Sequence, residues 1–268
     1  MSIIVSAPPH IKKDTCTKKM VCGMIIALLP AVAVSLYLFG PPAMAIILTC
    51  VLAAVGTEGA IQKFILKKAI PTDGSAIVTG LLLALLLHVN VPLWIPFIGA
   101  VVAIAIGKQA FGGYGSNIFN PALVGWAVLT MAWPSHMASA GVARLVDIPP
   151  FVLLVGAAFL LYMGYIKWQI PASYLISVVF LSALLARDAS YIFIGGFILG
   201  VFFMATDPVT TPLTKKGRFI FGIGCGILTV IYGLYGNYAE DVCYSILLMN
   251  SITPLIDRFV RAKPFVEG

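Results

Sequence analysis

Ten apolar runs, separated by short stretches rich in glycine, proline or charge, set the pattern of this 268-residue chain. They fall at about 20–39, 41–57, 75–90, 92–107, 118–133, 150–166, 171–186, 190–205, 217–235 and 242–257. About 20 apolar residues cross the hydrocarbon core as a helix. Several runs are nearer 16 residues, and many carry internal glycine. Short or interrupted helices are tolerated where backbone is buried against protein or lines a cavity, and glycine lets helices approach closely. The pattern predicts an all-α polytopic membrane protein of about ten transmembrane helices.

Composition sharpens that reading. Hydrophobic residues make up 60% of the chain and charged ones 10%, with a mean hydropathy of +1.03. A soluble domain would carry about a quarter charged residues, so no soluble domain is expected beside the spans. Lys12, Lys13, Lys18 and Lys19 precede the first run, and no cleavage-site pattern follows it. It reads as a retained helix rather than a signal peptide.

The net charge of +7 invites a nucleic-acid reading, which the distribution of basic residues removes. With ten spans and a cytoplasmic N-terminus, 15 of the 17 basic residues fall on one side and only Arg144 and Arg187 on the other. Such segregation predicts N-in, C-in topology, with the basic face meeting anionic lipid headgroups of the bilayer.

The halves look related. Asp73-Gly74-Ser75 precedes Asn120-Pro121-Ala122-Leu123 by 47 residues (120 − 73), and Asp207-Pro208-Val209 precedes Asn250 by 43 (250 − 207). Five helices per half is an odd number, so the halves would enter the membrane from opposite sides, as in transporters with a site between their repeats. The expected divisions are a cytoplasmic segment 1–19, a first five-helix half 20–133, a short extracytoplasmic loop 134–149, a second half 150–258 and a cytoplasmic tail 259–268.

Three polar loops fall on the expected inner face: Pro71–Ser75 leading to Thr79, Gly107–Asn117 leading to Asn120, and Thr206–Arg218. Together they offer carboxylates, amides, hydroxyls and helix-start N–H groups to a planar polar ligand or a partly dehydrated cation. Asp73 and Asp207 also suit N-caps, and Gly112, Gly113 and Gly115 suit a tight turn. The P-loop and dinucleotide-binding spacings are absent. Asn117 and Asn120 sit at the mouth of an apolar helix, where an unbonded amide is costly, so ligand or interhelix contact is expected of them.

Other chemistry is sparse. Five cysteines include no C-x-x-C pair and read as packing residues. His10, His88 and His136 are scattered, and no catalytic triad or zinc set is visible. Apart from His88 and Glu58 near run ends, the apolar runs hold almost no ionisable residue, which argues against a self-contained proton pump.

Long strings carry a family likeness: APPHIK (7–12), DGSAIVTGLLLAL (73–85), AIGKQAFGGYGSNIFNPALVGWAVL (105–129), TDPVTTPLTKKGR (206–218) and YSILLMNSITPLIDR (244–258). With them the chain resembles the RnfD/NqrB family, its RnfD branch most closely. These are membrane subunits of the Rnf complex and of sodium-pumping NADH:quinone reductase. The resemblance implies ten helices in two inverted halves, similar to urea transporters. It implies partner subunits of the Rnf A, B, C, E and G types. It also implies a role in passing electrons from reduced ferredoxin to an acceptor (NAD or a membrane carrier), coupled to Na+ or H+ movement, with no catalysis by this subunit alone.

The family further implies a non-covalent riboflavin near the cytoplasmic face and an FMN bound covalently to a threonine in an extracytoplasmic loop. Asp73, Thr79, Asn117, Asn120 and Asp207 lie in the family-like strings and are expected to contact riboflavin. The covalent site departs from the pattern. Residues 134–149 (PSHMASAGVARLVDIP) contain no threonine, with Ser135 and Ser139 the only hydroxyls, so no covalent FMN is expected here. A solute channel or transporter of urea-transporter-like fold is the competing reading, and it needs polar groups through the whole midplane. A structural anchor without flavin is a third.

Overall fold

The computed structural model describes residues 14–67, 73–137, 142–186, 190–234 and 238–260. The chain is all-helical, with no strand among the described residues and a lone β-bridge between His88 and Arg144. Helix α1 covers Asp14–Phe39 and α2 covers Pro41–Ala60, continued by a π-helical turn Ile61–Ile65. Then follow α3 (Ser75–Leu86), α4 (Trp94–Ala105), α5 (Pro121–Ala132) and the short α6 (Pro134–Met137). The second half holds α7 (Pro150–Tyr162), α8 (Gln169–Leu184), α9 (Gly195–Leu199) running into a π-helical segment Gly200–Met204, α10 (Lys215–Gly233) and α11 (Tyr238–Phe259).

Each of the ten apolar runs falls on one of these helices. Four stretches are long and apolar enough to cross a membrane: Lys18–Phe39, Pro41–Ile65, Trp94–Phe111 and Lys215–Gly233. Five shorter apolar helices lie among them. At 1.5 Å per residue, the 12-residue α3 and α5 reach about 18 Å, short of the roughly 30 Å core. Their polar ends are therefore sheltered by neighbouring helices. Leu52, Met131, Phe151, Ile176 and Phe180 are exposed on the outside, whereas leucine, isoleucine and aromatic side chains fill the core and glycine stands at the closest helix contacts. That apolar exterior marks a multi-pass membrane protein.

Helix packing follows a partly similar order in the two halves of the chain, although α2 also packs closely on α3 and α8 has no comparable contact with α9. Helix α2 lies on α4 and α4 on α5; likewise α8 lies on α10 and α10 on α11. Small residues allow it. A Cβ on Gly80 of α3 would stand 2.8 Å from Val51 Cα and 2.9 Å from the Cys50 carbonyl. Gly222 and Gly226 of α10 likewise press on α8 beside Ser173 and Ser177. Between halves, α1 packs on α7 and α5 touches α11. Buried Tyr174, Thr229 and Ser245 close a hydroxyl triangle inside the second half (2.6, 2.8 and 3.1 Å).

The motif pairing between halves does not survive. Asp73 precedes α3, but Asp207 follows the π-helical segment; Asn120 starts α5, but Asn250 lies inside α11. An inverted repeat requires matching strings at equivalent helix positions, and here one pair sits at opposite helix ends and the other pairs a helix start with a helix interior.

At the end of the bundle where α3 finishes, residues 142–148 fold back over it. Val89 N–H donates to the Ala143 carbonyl and Leu145 N–H to the Leu87 carbonyl. Both ring nitrogens of His88 face carbonyl oxygens, Val142 at 2.9 Å and Met137 at 2.7 Å. Cys50, Cys225 and Cys243 are buried, in keeping with packing roles.

Candidate functional site

A cavity opens at the other end, where α3 and α5 begin. It is open to the outside on one side and lined mostly by apolar surface. Apolar walls come from α1 (Val21, Met24), α7 (Leu160) and the π-helical segment (Phe203). Polar groups arrive from three places: the start of α3 (Ser75, Thr79), the loop between α4 and α5 (Lys108, Tyr114, Asn117, Asn120), and the loop after the π-helical segment (Asp207). Both halves of the chain therefore contribute.

Local sequence explains the convergence. Gly112, Gly113 and Gly115 all hold positive φ (106°, 98° and 95°), conformations that glycine adopts without strain. They fold the loop tightly on itself, with Gly113 N–H donating to the Lys108 carbonyl at 3.1 Å. Asn120 then caps α5: its Oδ1 accepts from Ala122 N–H at 3.1 Å, and Pro121 fills the first helical position, where a missing N–H costs nothing.

Four of the five residues singled out from sequence line this cavity: Thr79, Asn117, Asn120 and Asp207. Their states differ. Asn120 is engaged at both ends, since its Nδ2 also donates to the Met204 carbonyl at 3.4 Å. Asn117 donates to the Phe119 carbonyl at 3.0 Å, but its buried Oδ1 has no partner among the described residues. Thr79 donates to the Ser75 carbonyl at 3.1 Å and keeps its lone pairs for an incoming donor. Asp207 accepts from Val209 N–H at 3.1 Å. Burial pushes its carboxyl up to about 6, partly opposed by that hydrogen bond.

Asp73 stands one step behind the wall. Its Oδ1 accepts from the Ser75 N–H (3.1 Å) and hydroxyl (2.7 Å), while Gly74, not Asp73, holds the N-cap position of α3. Beside it, burial first and the nearby charges of Asp207 and Asp73 second push the Tyr114 phenol well above its usual range.

The sequence reading missed a buried ion pair. Lys108, 1% exposed, meets Glu58 at 2.5 Å and donates to Ser75 Oγ at 2.5 Å. Gln109 donates to Glu58 at 3.0 Å and Gln62 to Gln109 at 3.0 Å. A polar chain thus runs Gln62–Gln109–Glu58–Lys108–Ser75–Asp73 behind the cavity. Opposite charges just past the ends of the second and fourth apolar runs were the available signal. Among the described residues no His, Cys, Asp and Glu group is arranged to hold a metal.

The model of the NQR2, RnfD, RnfE family matches residues 4–149 and 143–266. The chain belongs to this family. It is 41% identical, over 98% of its own length and 95% of the relative's, to the D-type subunit of the Na+-translocating ferredoxin:NAD+ oxidoreductase complex of Acetobacterium woodii. Identity is 42% to the D-type subunit of the ion-translocating oxidoreductase complex of Methanosarcina acetivorans, covering 98% and 97% of the two chains. It is 36% to the corresponding subunit of the proton-translocating ferredoxin:NAD+ oxidoreductase complex of Clostridium ljungdahlii, covering 97% and 95%. The Acetobacterium alignment runs over 302 positions, so at least 34 (302 − 268) have no counterpart here.

Proposed function

We propose that this chain is the D-type membrane subunit of an Rnf-type complex that couples electron transfer from reduced ferredoxin to Na+ or H+ movement. In this reading it binds riboflavin non-covalently in the cavity at the starts of α3 and α5. Near full-length likeness to three D-type subunits supports the complex and its multi-subunit character. The partners would be the other Rnf subunits, of A, B, C, E and G type, in a prokaryotic inner membrane with the cavity on the cytoplasmic side.

Ten spans in two inverted halves remain the architecture proposed, with 20–133 and 150–258 as the halves. Its support is the partly similar packing order, in which α2, α4 and α5 correspond to α8, α10 and α11. A different sequence register accompanies it. Asp73-Gly74-Ser75 matches Asp188-Ala189-Ser190 at an offset of 115 (188 − 73), and Val91-Pro92-Leu93 matches Thr211-Pro212-Leu213 at 120 (211 − 91).

One observation carries the flavin reading: a cavity fed by both halves holds an unpartnered buried acceptor, Asn117 Oδ1, beside Thr79 and the Asp207 carboxyl. An unsatisfied buried acceptor is destabilising by about 1–3 kcal/mol, so a ligand N–H there is favoured. Isoalloxazine has a matching edge of alternating carbonyls and N–H, and apolar walls suit its rings. Bound riboflavin would supply the capacity to accept and release electrons. The chain's own residues grip its polar edge (Asn117, Thr79, Asp207), hold the two halves against it (Asn120), and exclude water with Leu160, Phe203 and Met24.

Covalent FMN does not fit. Residues 134–149 lack threonine; Ser135 is exposed in α6, and Ser139 lies outside the described residues. The family model also divides within this loop, between 143 and 149, where the missing positions are readily placed. A solute channel is not favoured, because the polar cavity lies at one end of the bundle, and the Tyr174–Thr229–Ser245 triangle is satisfied within itself.

The test is to purify the intact complex, separate its chains and identify flavins by mass spectrometry. Riboflavin released on denaturation is expected, reduced by Asn117→Ala or Asp207→Ala, with no flavin on this chain's denatured band. Unchanged riboflavin in both variants would place the cofactor elsewhere.

A further inference from the structure

The buried ion pair behind the cavity is not needed for any role so far assigned, and its geometry is asymmetric. Lys108 lines the cavity, and Glu58 does not. The ammonium has three N–H donors. Two are committed, to Glu58 and Ser75 Oγ; the third has no acceptor among the described residues, with the Tyr114 ring 5.7 Å from Nζ. Glu58 is fixed from behind by Gln109, which is fixed in turn by Gln62. A buried ion pair is often no more stable than apolar residues of the same volume. This one is nonetheless backed by two glutamines, with its positive end toward the empty space.

We propose that Lys108 is a positioning charge for the cofactor: its free N–H and fixed positive charge face the ring bound in the cavity and favour the ring's electron-rich, reduced form over the oxidised form. Glu58, Gln109 and Gln62 hold the ammonium at that wall. The inference rests on the riboflavin reading and deepens it, since a charge close to a flavin ring shifts the balance between its oxidation states. Uptake of two electrons, drawn from the reduced ferredoxin of the proposed function, and of one proton from solvent would leave the ring with one negative charge. That negative charge is what the ammonium meets. In a water-poor site the attraction is screened far less than at a surface.

The experiment uses the intact complex and three variants: Lys108→Met with Glu58→Gln, which leaves no lone buried charge; Glu58→Gln alone; and Lys108→Arg. Riboflavin content of the wild-type complex is measured first. If none is found there, the riboflavin reading itself fails. Where it is present, the midpoint potential of the bound riboflavin is followed by its visible absorbance. In the double variant, affinity for the reduced ring is expected to fall about tenfold relative to the oxidised ring, a downward shift of about 30 mV for a two-electron couple. Glu58→Gln alone unmasks the cation and shifts the potential upward, whereas Lys108→Arg stays near wild type. Retained riboflavin with an unmoved potential in the first two variants overturns the proposal. So does loss of assembly in both, which would make the pair a structural pin between α2 and the end of α4.

Discussion

Asn120 and Met204 are 84 positions apart in sequence, yet the Asn120 amide donates to the Met204 carbonyl beside the cavity. The bond ties the first turn of α5 to the last residue of the π-helical segment, and so joins the halves where both supply cavity walls. Asn120→Ala removes this link and the α5 cap together. Loss of a cap costs about 1 kcal/mol, and the Met204 carbonyl keeps only its bond from the Asp207 N–H at 3.4 Å. Asn120→Asp keeps the cap acceptor but not the amide donor. Thermal unfolding of the detergent-solubilised complex should rank stability wild type, Asp variant, Ala variant; equal values for wild type and the Ala variant would contradict the link.

Asp207 gives the site a pH dependence of defined sign. Its carboxyl titrates near 6, above the ordinary 3.8, because burial disfavours the charged form. The folded state therefore holds the proton more tightly than the unfolded chain. The destabilisation it causes is absent below about pH 4, grows as pH rises, and is complete above about 6. Asp207→Asn should remove that slope between pH 4 and 6.5, as read by thermal unfolding of the detergent-solubilised complex.

Gly80 sets the distance between α3 and α2. An added methyl would meet the backbone of Cys50 and Val51 rather than a movable side chain. Gly80→Ala should therefore lower stability by about 1–3 kcal/mol, and, if the proposed cofactor site holds, riboflavin content should fall with it, because α3 carries Ser75 and Thr79. Gly59→Ala, where nothing lies within 4 Å, is the matched control.

Tyr174→Phe tests the hydroxyl triangle. Thr229 and Ser245 remain bonded to each other at 2.8 Å, and the edge-on contact with Phe197 persists. Hydrogen bonds inside membrane bundles average about 0.6 kcal/mol, so a loss below about 1 kcal/mol is expected in steric-trap or denaturant unfolding. Thr229→Val breaks two sides of the triangle and should cost more.

Much of the site was legible because its parts are local signals. Asn120-Pro121 announces a helix start, the glycines at 112, 113 and 115 announce a tight turn, and an amide at the mouth of an apolar helix calls for a partner. Asp73 was legible in its modest role as well, since a carboxylate two residues before Ser75 bonds that residue's N–H in any such turn. The register between halves was not. Asp207 resembles Asp73 as text, but one follows a helix and the other precedes one, and short motifs carry no direction through the membrane. The Glu58–Lys108 pair escaped because each residue, taken alone, looks like an ordinary charge at the end of an apolar run.

The sequence by itself determined the class of molecule and its helices. Burying apolar runs in lipid depends only on length and hydropathy, and a helix satisfies its backbone within its own segment. Which polar ends meet, and which of their hydrogen-bonding groups stay unpaired, was decided only by the tertiary structure. A buried polar atom's state depends on neighbours brought from as far as 84 residues away, and no local pattern encodes them. Asn117 and Asn120, three positions apart with the same side chain, end in different states for that reason.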